Sequence, residues 1–341
     1  MTARIWFNKG LSSLYNVFSL IREGDAGRGM RLVCSHTNPD FVGFASADEF
    51  FVEPVINNDD DYLAWCLEFC RNHTIDLFIP ARRASVLTSH SDKFSAFGTK
   101  IHRVCPGGFL PVIENKSRFY DYCREYDFPI PEYRTVINLA QFDEAYHALK
   151  VHNQQVCFKP TVSVFGLGFR RICEKDNEIT RLMNGETYQI GLAHARSIFS
   201  EQESFRELMV MTYLEGKERS VDCLAEHGTL IRYVIRRKSG SAGGIQLIED
   251  NPAIAAIVTR LVALFSLNGL FNIQFRDSNN VPYLLEINPR MSGGLHFTAL
   301  SGLNLPYWSM ASALGVCNHD DIPYPTTGIK VGKADIGVVV P

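Results

Sequence analysis

The residues best suited to chemistry lie between Phe271 and Arg290, in the segment FNIQFRDSNNVPYLLEINPR. Apolar and polar residues alternate on both sides of a polar turn, which predicts two antiparallel strands. Alternation puts Gln274 on the polar face of the first strand and both Glu286 and Asn288 on the polar face of the second. Counting inward from both strands across a turn at 277–282 places Gln274 roughly opposite Glu286. Oxygen-bearing side chains therefore converge beside Arg290.

Oxygen donors without a nearby His or Cys suit a hard cation such as Mg²⁺, which uses one or two carboxylates together with waters and phosphate oxygens. In the set Gln274, Glu286 and Asn288, only Glu286 carries a full negative charge, so a polyphosphate is needed to complete a metal site. Polar alternation is also common where one face of an antiparallel sheet is solvated. From spacing alone, a metal site and a solvated hairpin both stay open.

A lysine followed by two glycines forms a second candidate. Val156–Pro160 reads as an apolar strand with Lys159 on the face away from Phe158, and Gly166 and Gly168 follow it. Glycines let backbone N–H groups approach phosphate oxygens, and the ammonium group supplies a positive charge. The spacing matches neither a P-loop nor a dinucleotide fingerprint, so a hairpin turn with a surface lysine is the alternative.

Two further segments place charges beside predicted strands. The run MTYLEGKE, residues 211–218, reads as a strand and turn, with a second strand after it. The backbone of such a hairpin could hydrogen-bond a planar ring, and Glu218 could accept from ribose hydroxyls. Arg236 begins a basic RRK run before the flexible SGSAGG, where it could clamp an anionic substrate or a transferring phosphoryl group. A charged hairpin and a solvated basic turn are the structural alternatives.

The elements that position these residues differ along the chain. The first third alternates apolar strands, at 3–7, 31–34 and 76–80, with amphipathic helices, which predicts a parallel sheet covered by helices. Ligands bind beyond the carboxyl ends of such strands, where Arg82 and Arg83 could hold a carboxylate. The Gly/Pro-rich segment 105–111 predicts a domain boundary. A strand-rich middle follows, and Pro252 opens a helix capped by Asp250 or Asn251.

Composition limits the function classes. The 341 residues suffice for two or three domains at roughly 150 residues each. The chain has 34 Lys+Arg against 37 Asp+Glu, a formal net charge of -3, so no overall field attracts nucleic acid or an anionic membrane. Its 9 cysteines are scattered without a C-x-x-C pair, which predicts reduced thiols and a cytoplasmic location.

Taken in order, these motifs resemble the ATP-grasp superfamily over residues 111–315. The Glu-x-Asn-Pro-Arg pattern and the preceding glutamine are the most specific. The branch most resembled is the synthetase component of carbamoyl phosphate synthase, with stand-alone carboxylate-amine ligases. A fainter resemblance is to ATP-grasp proteins encoded near bacterial tellurium-resistance genes. The quoted motifs are Lys116, Lys159-Pro160, Gly166-x-Gly168, YLEGKERSVD, Gln274 and LLEINPRMSGG.

The resemblance implies an α/β fold: a parallel α/β domain at 1–110, then a two-lobed ATP-grasp α+β domain at 111–341 with a small mobile lobe at about 125–213. It also implies a role for each matching residue. For the nucleotide, Lys116 and Lys159 would bind ATP phosphates, Gly166 and Gly168 would form a flap over them, Met211, Tyr213 and Leu214 would face adenine, and Glu218 would bind ribose. The metal ligands for Mg²⁺ or Mn²⁺ would be Gln274, Glu286 and Asn288. The catalytic residues would be Arg290, which would steady an acyl phosphate, and Arg236.

The function implied is that of an ADP-forming ligase. ATP would activate a small-molecule carboxylate as an acyl phosphate, which an amine would then attack, without nucleic-acid or membrane partners; a homodimer stays open. The alternatives are a carbamoyl-phosphate-synthase-like acyl phosphate synthetase and a non-catalytic ATP-sensing module. Where carbamoyl phosphate synthase has a further arginine after Asn-Pro-Arg, this chain has Met-Ser-Gly-Gly. That departure argues against bicarbonate or carbamate chemistry.

Overall fold

The structure, a computed structural model, describes residues 2–27, 29–151, 155–163, 166–174, 178–240 and 244–341. The chain divides into two compact units. The first unit consists of Met1–Pro111, Lys217–Gln274 and Ile287–Pro341, and the second consists of Val112–Gly216 and Phe275–Glu286. Within the described ranges, no helix is both long and apolar enough to cross a membrane.

The first unit begins with a parallel sheet in the order β3-β2-β1-β4-β5. The strands are β1 (Ala3–Asn8), β2 (Met30–His36), β3 (Glu49–Val52), β4 (Leu77–Ile79) and β5 (Lys100–Ile101). The helices are α1 (Leu14–Asp25), α2 (Asp59–Asn72), α3 (Ala84–Ser89) and α4 (Ser91–Ser95), with a 3₁₀ turn at Val42–Ser46. Buried apolar clusters cover both sheet faces, as the alternation of strands and helices predicts.

The second unit holds a mixed sheet in the order β6-β10-β7-β8-β9. The strands are β6 (Tyr133–Val136), β7 (Val156–Pro160), β8 (Arg170–Cys173), β9 (Gln189–Gly191) and β10 (Leu208–Thr212). The helices that precede or connect them are α5 (Leu110–Glu114), α6 (Lys116–Glu125), α7 (Leu139–Lys150), α8 (Glu178–Met183) and α9 (Leu192–Phe199). Phe142, Phe158 and Phe199 pack together in its core.

A third sheet has the order β15-β14-β11-β12-β13-β16. Its strands are β11 (Glu218–Glu226), β12 (Thr229–Lys238), β13 (Gln246–Glu249), β14 (Gly269–Ser278), β15 (Val281–Asn288) and β16 (Lys330–Val331). The remaining helices are α10 (Pro252–Leu264), α11 (Leu295–Ala299) and α12 (Leu305–Leu314), with a 3₁₀ turn at His319–Asp321. The side chain of Asn251 caps α10 by accepting a hydrogen bond from the Ile254 N–H at 3.2 Å.

Two local predictions are revised by the structure. The hairpin β14–β15 is present, but its turn is only Asn279–Asn280, with φ of 50° and 62°, the left-handed pair that a tight hairpin turn requires. The predicted hairpin over residues 211–224 is wrong, because β10 and β11 belong to different sheets. The polar turn at 213–217 is a connection from one unit to the next.

Candidate active site

Lys116 is the first residue of α6, and its ammonium group is held by two oxygens of the second unit. Asn115 caps the helix, with its side chain accepting from the N–H groups of Ser117 and Arg118. The Lys116 Nζ donates to the carbonyl of Ser163 at 2.9 Å and lies 3.3 Å from Oε2 of Glu286. Lys116 is only 7% exposed, so these contacts offset the loss of its hydration.

Lys159, on β7, is the second cation beside Glu286. Burial and the positive charge of Lys116 lower the pKa of Lys159 to about 8, against the attraction of Glu286. Its Nζ lies 5.5 Å from the centroid of the Tyr120 ring, within range of a cation–π interaction. The single negative charge of Glu286 thus neutralises only one of the two ammonium groups, so net positive charge remains for an anionic ligand.

Tyr120 is a member of this cluster that the sequence did not single out. It lies one turn after Lys116 on α6 and is fully buried. Burial and the nearby Glu286 raise the pKa of the phenol well above its usual value. Among the described residues, the Tyr120 hydroxyl has no hydrogen-bond partner. A buried, neutral hydroxyl in that condition is a donor for a ligand or a bound water.

The glycine loop joins two antiparallel strands, β7 and β8. Val164 and Phe165 of this loop lie outside the described residues. Gly168 has φ of 79°, and a Cβ there would lie 2.7 Å from ring carbons of Pro160. Gly166 also has a positive φ, of 67°. Glycine is therefore required by the shape of the turn itself, and the role of the loop as a phosphate flap stays a prediction.

The segment predicted to face adenine follows β10. Met211 and Leu214 are buried, while the Tyr213 hydroxyl accepts from Arg276 Nη2 at 3.0 Å. The Tyr213 N–H donates to the carbonyl of Gln155 at 2.7 Å. These bonds fix the segment within the second unit, and its adenine contact stays a prediction.

In the first unit, the end of β15 holds Asn288 and Arg290 together. The Arg290 Nη2 donates to the amide oxygen of Asn288 at 3.3 Å, and its Nη1 donates to the carbonyl of Met291 at 3.2 Å. The backbone N–H of Arg290 donates to the carbonyl of Asn288 at 2.7 Å. Gln274 lies on β14, partly exposed. The oxygen of Asn288 and the guanidinium of Arg290 are therefore positioned as a pair.

Ion pairs involve Glu218 and the basic residues 236–238 of the first unit. The Lys238 ammonium donates to Glu218. Arg237 donates to Glu249 at 2.7 Å. Arg236, expected on a basic turn or against a substrate, lies instead on β12 and is 2% exposed. The roles predicted for Glu218 and Arg236 stay predictions.

The donor chemistry of these residues fits a hard divalent cation. Glu286, Gln274 and Asn288 offer only oxygen ligands, with one carboxylate among them. Across the described part of the chain, His, Cys, Asp and Glu do not gather in groups of three or more that could hold a metal ion. A soft-metal or multi-carboxylate centre is therefore not built from those residues.

The comparisons with known proteins agree with this chemistry. Residues 204–335 match the family described as ATP-grasp in the biosynthetic pathway with Ter operon. The chain is 26% identical over 303 residues to the carbamoyl phosphate synthase large chain of Methanospirillum hungatei, covering 85% of this chain and 27% of that protein. The chain is thus similar to proteins of the ATP-grasp superfamily. It spans about a quarter of the length of the curated relatives it matches.

Solved structures of several ligases and carboxylases have a similar fold. The L-amino acid ligase of Bacillus licheniformis aligns with a TM-score of 0.64 and 13% identity, over 94% of this chain and 76% of that one. The N5-carboxyaminoimidazole synthase of Aspergillus clavatus, in complex with ADP and 5-aminoimidazole ribonucleotide, aligns with a TM-score of 0.66 and 12% identity, over 95% and 80%. The biotin carboxylase domain of the Hydrogenobacter thermophilus 2-oxoglutarate carboxylase, with MgADP and bicarbonate, gives 0.64 and 16%, over 94% and 72%.

The remaining residues considered in the sequence analysis are the cysteines and the pair Arg82 and Arg83. All nine cysteines are free thiols. Burial raises the pKa of Cys157 to about 12, so its thiol is a poor nucleophile near neutral pH. Arg82 donates to the carbonyl of Ile56 at 3.0 Å, and Arg83 pairs with Asp59 at 3.0 Å. Both arginines brace the segment before α2, and their contact with a substrate stays a prediction.

Proposed function

We propose that this protein is an ADP-forming ligase of the ATP-grasp superfamily that activates a small carboxylic acid as an acyl phosphate, which an amine or a similar nucleophile then attacks. The observation that carries the proposal is the cluster of Lys116, Lys159 and Glu286 in the second unit. It combines two ammonium groups with one carboxylate, the arrangement that binds phosphate oxygens together with a divalent cation.

The proposed reaction has two steps. A carboxylate oxygen of the substrate attacks the γ-phosphorus of ATP, the bond to the β–γ bridging oxygen breaks, and ADP leaves. The nucleophile then attacks the carbonyl carbon of the acyl phosphate, loses a proton, and expels inorganic phosphate, which keeps the oxygen that came from the carboxylate. Both steps need charge stabilisation on oxygen rather than a protein nucleophile.

Each protein group has a part in this chemistry. Lys116 and Lys159 bind phosphate oxygens and spread the charge of the transferring group. Glu286, with Gln274 and Asn288, would hold Mg²⁺ or Mn²⁺, which supplies charge neutralisation on the phosphate oxygens. Arg290, held by Asn288, stabilises the acyl phosphate.

The residues that contact the adenine and ribose of ATP are assigned from their positions in the chain. Met211, Tyr213 and Leu214 contact adenine, and Glu218 accepts from the ribose hydroxyls. Gly166 and Gly168 present backbone N–H groups to the phosphates. The ADP and MgADP complexes of the solved structures described above support nucleotide as the ligand class.

The deciding experiment uses an oxygen label. The protein is incubated with Mg·ATP and pools of amino acids and small carboxylic acids until a pair that releases ADP and phosphate is found. The carboxylic acid of that pair is then supplied with ¹⁸O in its carboxylate. We expect ¹⁸O in the released phosphate and none in ADP. Release of AMP, or phosphate without ¹⁸O, would contradict an acyl phosphate.

Lys159→Ala serves as the matched variant, because it removes one phosphate ligand while Glu286 and Lys116 keep their contact. Its ADP formation should fall together with its ATP affinity. The melting temperature of each protein is measured in parallel, so that a loss of activity is not confused with a loss of folded protein.

A further inference from the structure

A buried ion pair in the first unit joins two neighbouring strands of the third sheet and is not part of the proposed chemistry. Arg236 on β12 donates from Nε to Oδ2 of Asp222 on β11 at 3.0 Å. The two side chains are 3% and 0% exposed. Ser220 faces Arg236 directly across the strands. The guanidinium is thus buried between its own strand and the neighbouring one.

The Asp222 carboxylate is saturated by neighbours from other elements. Its Oδ1 accepts from the Asn272 amide at 2.8 Å, and its Oδ2 accepts from the Thr298 hydroxyl at 2.5 Å as well as from Arg236. Asn272 lies on β14, two residues before Gln274, and Thr298 lies on α11. The carboxylate therefore ties together the strand that carries Gln274 and the helix that follows Arg290.

The Arg236 guanidinium reaches the segment after Arg290 directly. Its Nη2 donates to the Ser292 hydroxyl at 3.2 Å, and that hydroxyl also accepts from the Gly294 N–H at 3.2 Å. A Cβ on Gly294 would lie 2.4 to 2.5 Å from the guanidinium. The guanidinium occupies the space that a side chain at position 294 would need, so the segment folds closely over it.

We propose that Arg236 and Asp222 are positioning residues, which fix residues 288–294 and thereby the placement of Asn288 and Arg290. Asn288 and Arg290 have their roles from the proposed function, on which the consequence for nucleotide binding rests. A buried ion pair is often replaceable by apolar residues without loss of stability, so stability alone does not account for this one. Its bonds to Ser292, Thr298 and Asn272 instead select one arrangement of the segment.

The main test replaces the pair by apolar residues of similar size. In the double variant Asp222→Leu, Arg236→Met, we expect a melting temperature near that of the wild type. Amide hydrogen exchange over residues 290–296 should nevertheless rise about tenfold, because the segment loses the contacts that hold it. The matched control is Arg219→Met, Glu249→Leu, which removes an ion pair on the same sheet at 2.5 Å together with the bond from Arg237 to Glu249. The control should leave that exchange unchanged.

A second variant covers the case in which the double variant does not fold. Gly294→Ala keeps both charged residues but pushes against the guanidinium. It should also raise exchange over residues 290–296 about tenfold, with the rest of the chain protected as in the wild type. Unchanged exchange in the folded double variant, or in Gly294→Ala if the double variant does not fold, would show that the pair is only a structural contact and overturn the proposal.

Nucleotide affinity separates this proposal from the proposed function. If the pair acts through Arg290, calorimetric Mg·ATP affinity should fall in the double variant, and adding Arg290→Met should lower it no further than Arg290→Met alone. Additive losses would overturn action through Arg290. A wild-type protein that binds no Mg·ATP would contradict the proposed function, while the exchange experiments would still decide whether the pair positions the segment.

Discussion

At the residue scale, Glu286 is the carboxylate that attracts the ammonium groups of both Lys116 and Lys159. Replacing it by glutamine keeps the size of the side chain but removes the only carboxylate of the candidate metal set. We expect Glu286→Gln to reduce ADP formation by about a hundredfold or more, since metal-borne charge stabilisation contributes several kcal/mol to phosphoryl transfer. The fold should persist, because the side chain is 24% exposed and not part of an apolar core.

The measurement is the rate of ADP formation at saturating Mg²⁺, with a thermal melt of the same sample. Glu215→Gln is the matched control, since Glu215 is an exposed carboxylate of the second unit that accepts from Ser278. Near wild-type activity in Glu286→Gln would show that the metal assignment is wrong.

Substitutions of Tyr120 should affect the stability of the fold and the binding of ligand in different ways. Its buried hydroxyl, which finds no partner among the described residues, disfavours the folded state by about 1–3 kcal/mol. We therefore expect Tyr120→Phe to leave the free energy of unfolding unchanged or raised, and to weaken Mg·ATP binding because a donor is lost. Tyr120→Leu should weaken binding further, since it also removes the ring beneath Lys159.

Both properties of the Tyr120 variants are accessible, by urea unfolding and by titration calorimetry. Equal Mg·ATP affinity in wild type and Tyr120→Phe would show that the hydroxyl does not serve the ligand. A loss confined to Tyr120→Leu would assign the effect to the ring alone.

At the element scale, a half-buried histidine, His102, follows β5 and contacts the start of β14. The His102 ring packs against Gly269, where a Cβ would lie 2.0 Å from the ring. Burial, with a contribution from Lys100, lowers the pKa of His102 to about 4. In the unfolded chain an ordinary histidine has a pKa of about 6.5, so the unfolded state binds the proton first as pH falls.

The stability contributed by neutral His102 is complete above about pH 6.5 and is lost progressively down to about pH 4. Between pH 7 and pH 5 the wild type should lose about 1–2 kcal/mol more than His102→Gln, which cannot take up the proton. Urea unfolding of both proteins at the two pH values gives the difference. A parallel decline in both would show that His102 does not titrate on unfolding.

Helices and strands could be predicted from the sequence where they depend only on the local pattern of residues. The alternation of strands and helices in residues 1–80 was confirmed. The spacing of apolar residues in each of these elements follows from the single face that the element buries. The hairpin turn was predicted too long, since residues 277–282 are all compatible with a turn, and Pro282 is tolerated on the edge strand β15. The 211–224 hairpin failed because a strand–turn–strand pattern does not say whether the second strand pairs with the first.

The candidate site was predictable only in part. Charged residues with unusual spacing, such as Lys159 and Glu286, were visible in the sequence, whereas Tyr120 reads as an ordinary apolar position on a helix. Arg236 was expected either against an anionic substrate or on a solvated turn. Its burial was missed because its partner is set by strand register, which pairs it with Ser220 and brings it to Asp222. Long-range pairing of this kind leaves no signal in local periodicity.

At the scale of the whole molecule, the two units give separate reporters of ligand binding. The 3 tryptophans, Trp6, Trp65 and Trp308, all belong to the first unit, so their fluorescence follows the unfolding of that unit. Lys116, Lys159 and Glu286 all belong to the second. A transition seen by calorimetry but not by tryptophan fluorescence therefore belongs to the second unit, and a single coincident transition means that the units unfold together.

We expect Mg·ATP to raise the melting temperature of the transition that includes the second unit. Ligand that binds only the folded protein stabilises it by about 2.7 kcal/mol at a free concentration of 100 times Kd, which corresponds to several degrees. AMP, which lacks the β- and γ-phosphates, should produce a much smaller shift, and so should ATP without Mg²⁺. Glu286→Gln should abolish the Mg²⁺ dependence while keeping part of the ATP effect through the two lysines. Equal shifts with AMP and Mg·ATP would place the binding energy on the nucleoside and contradict recognition of the polyphosphate by Lys116, Lys159 and a metal at Glu286.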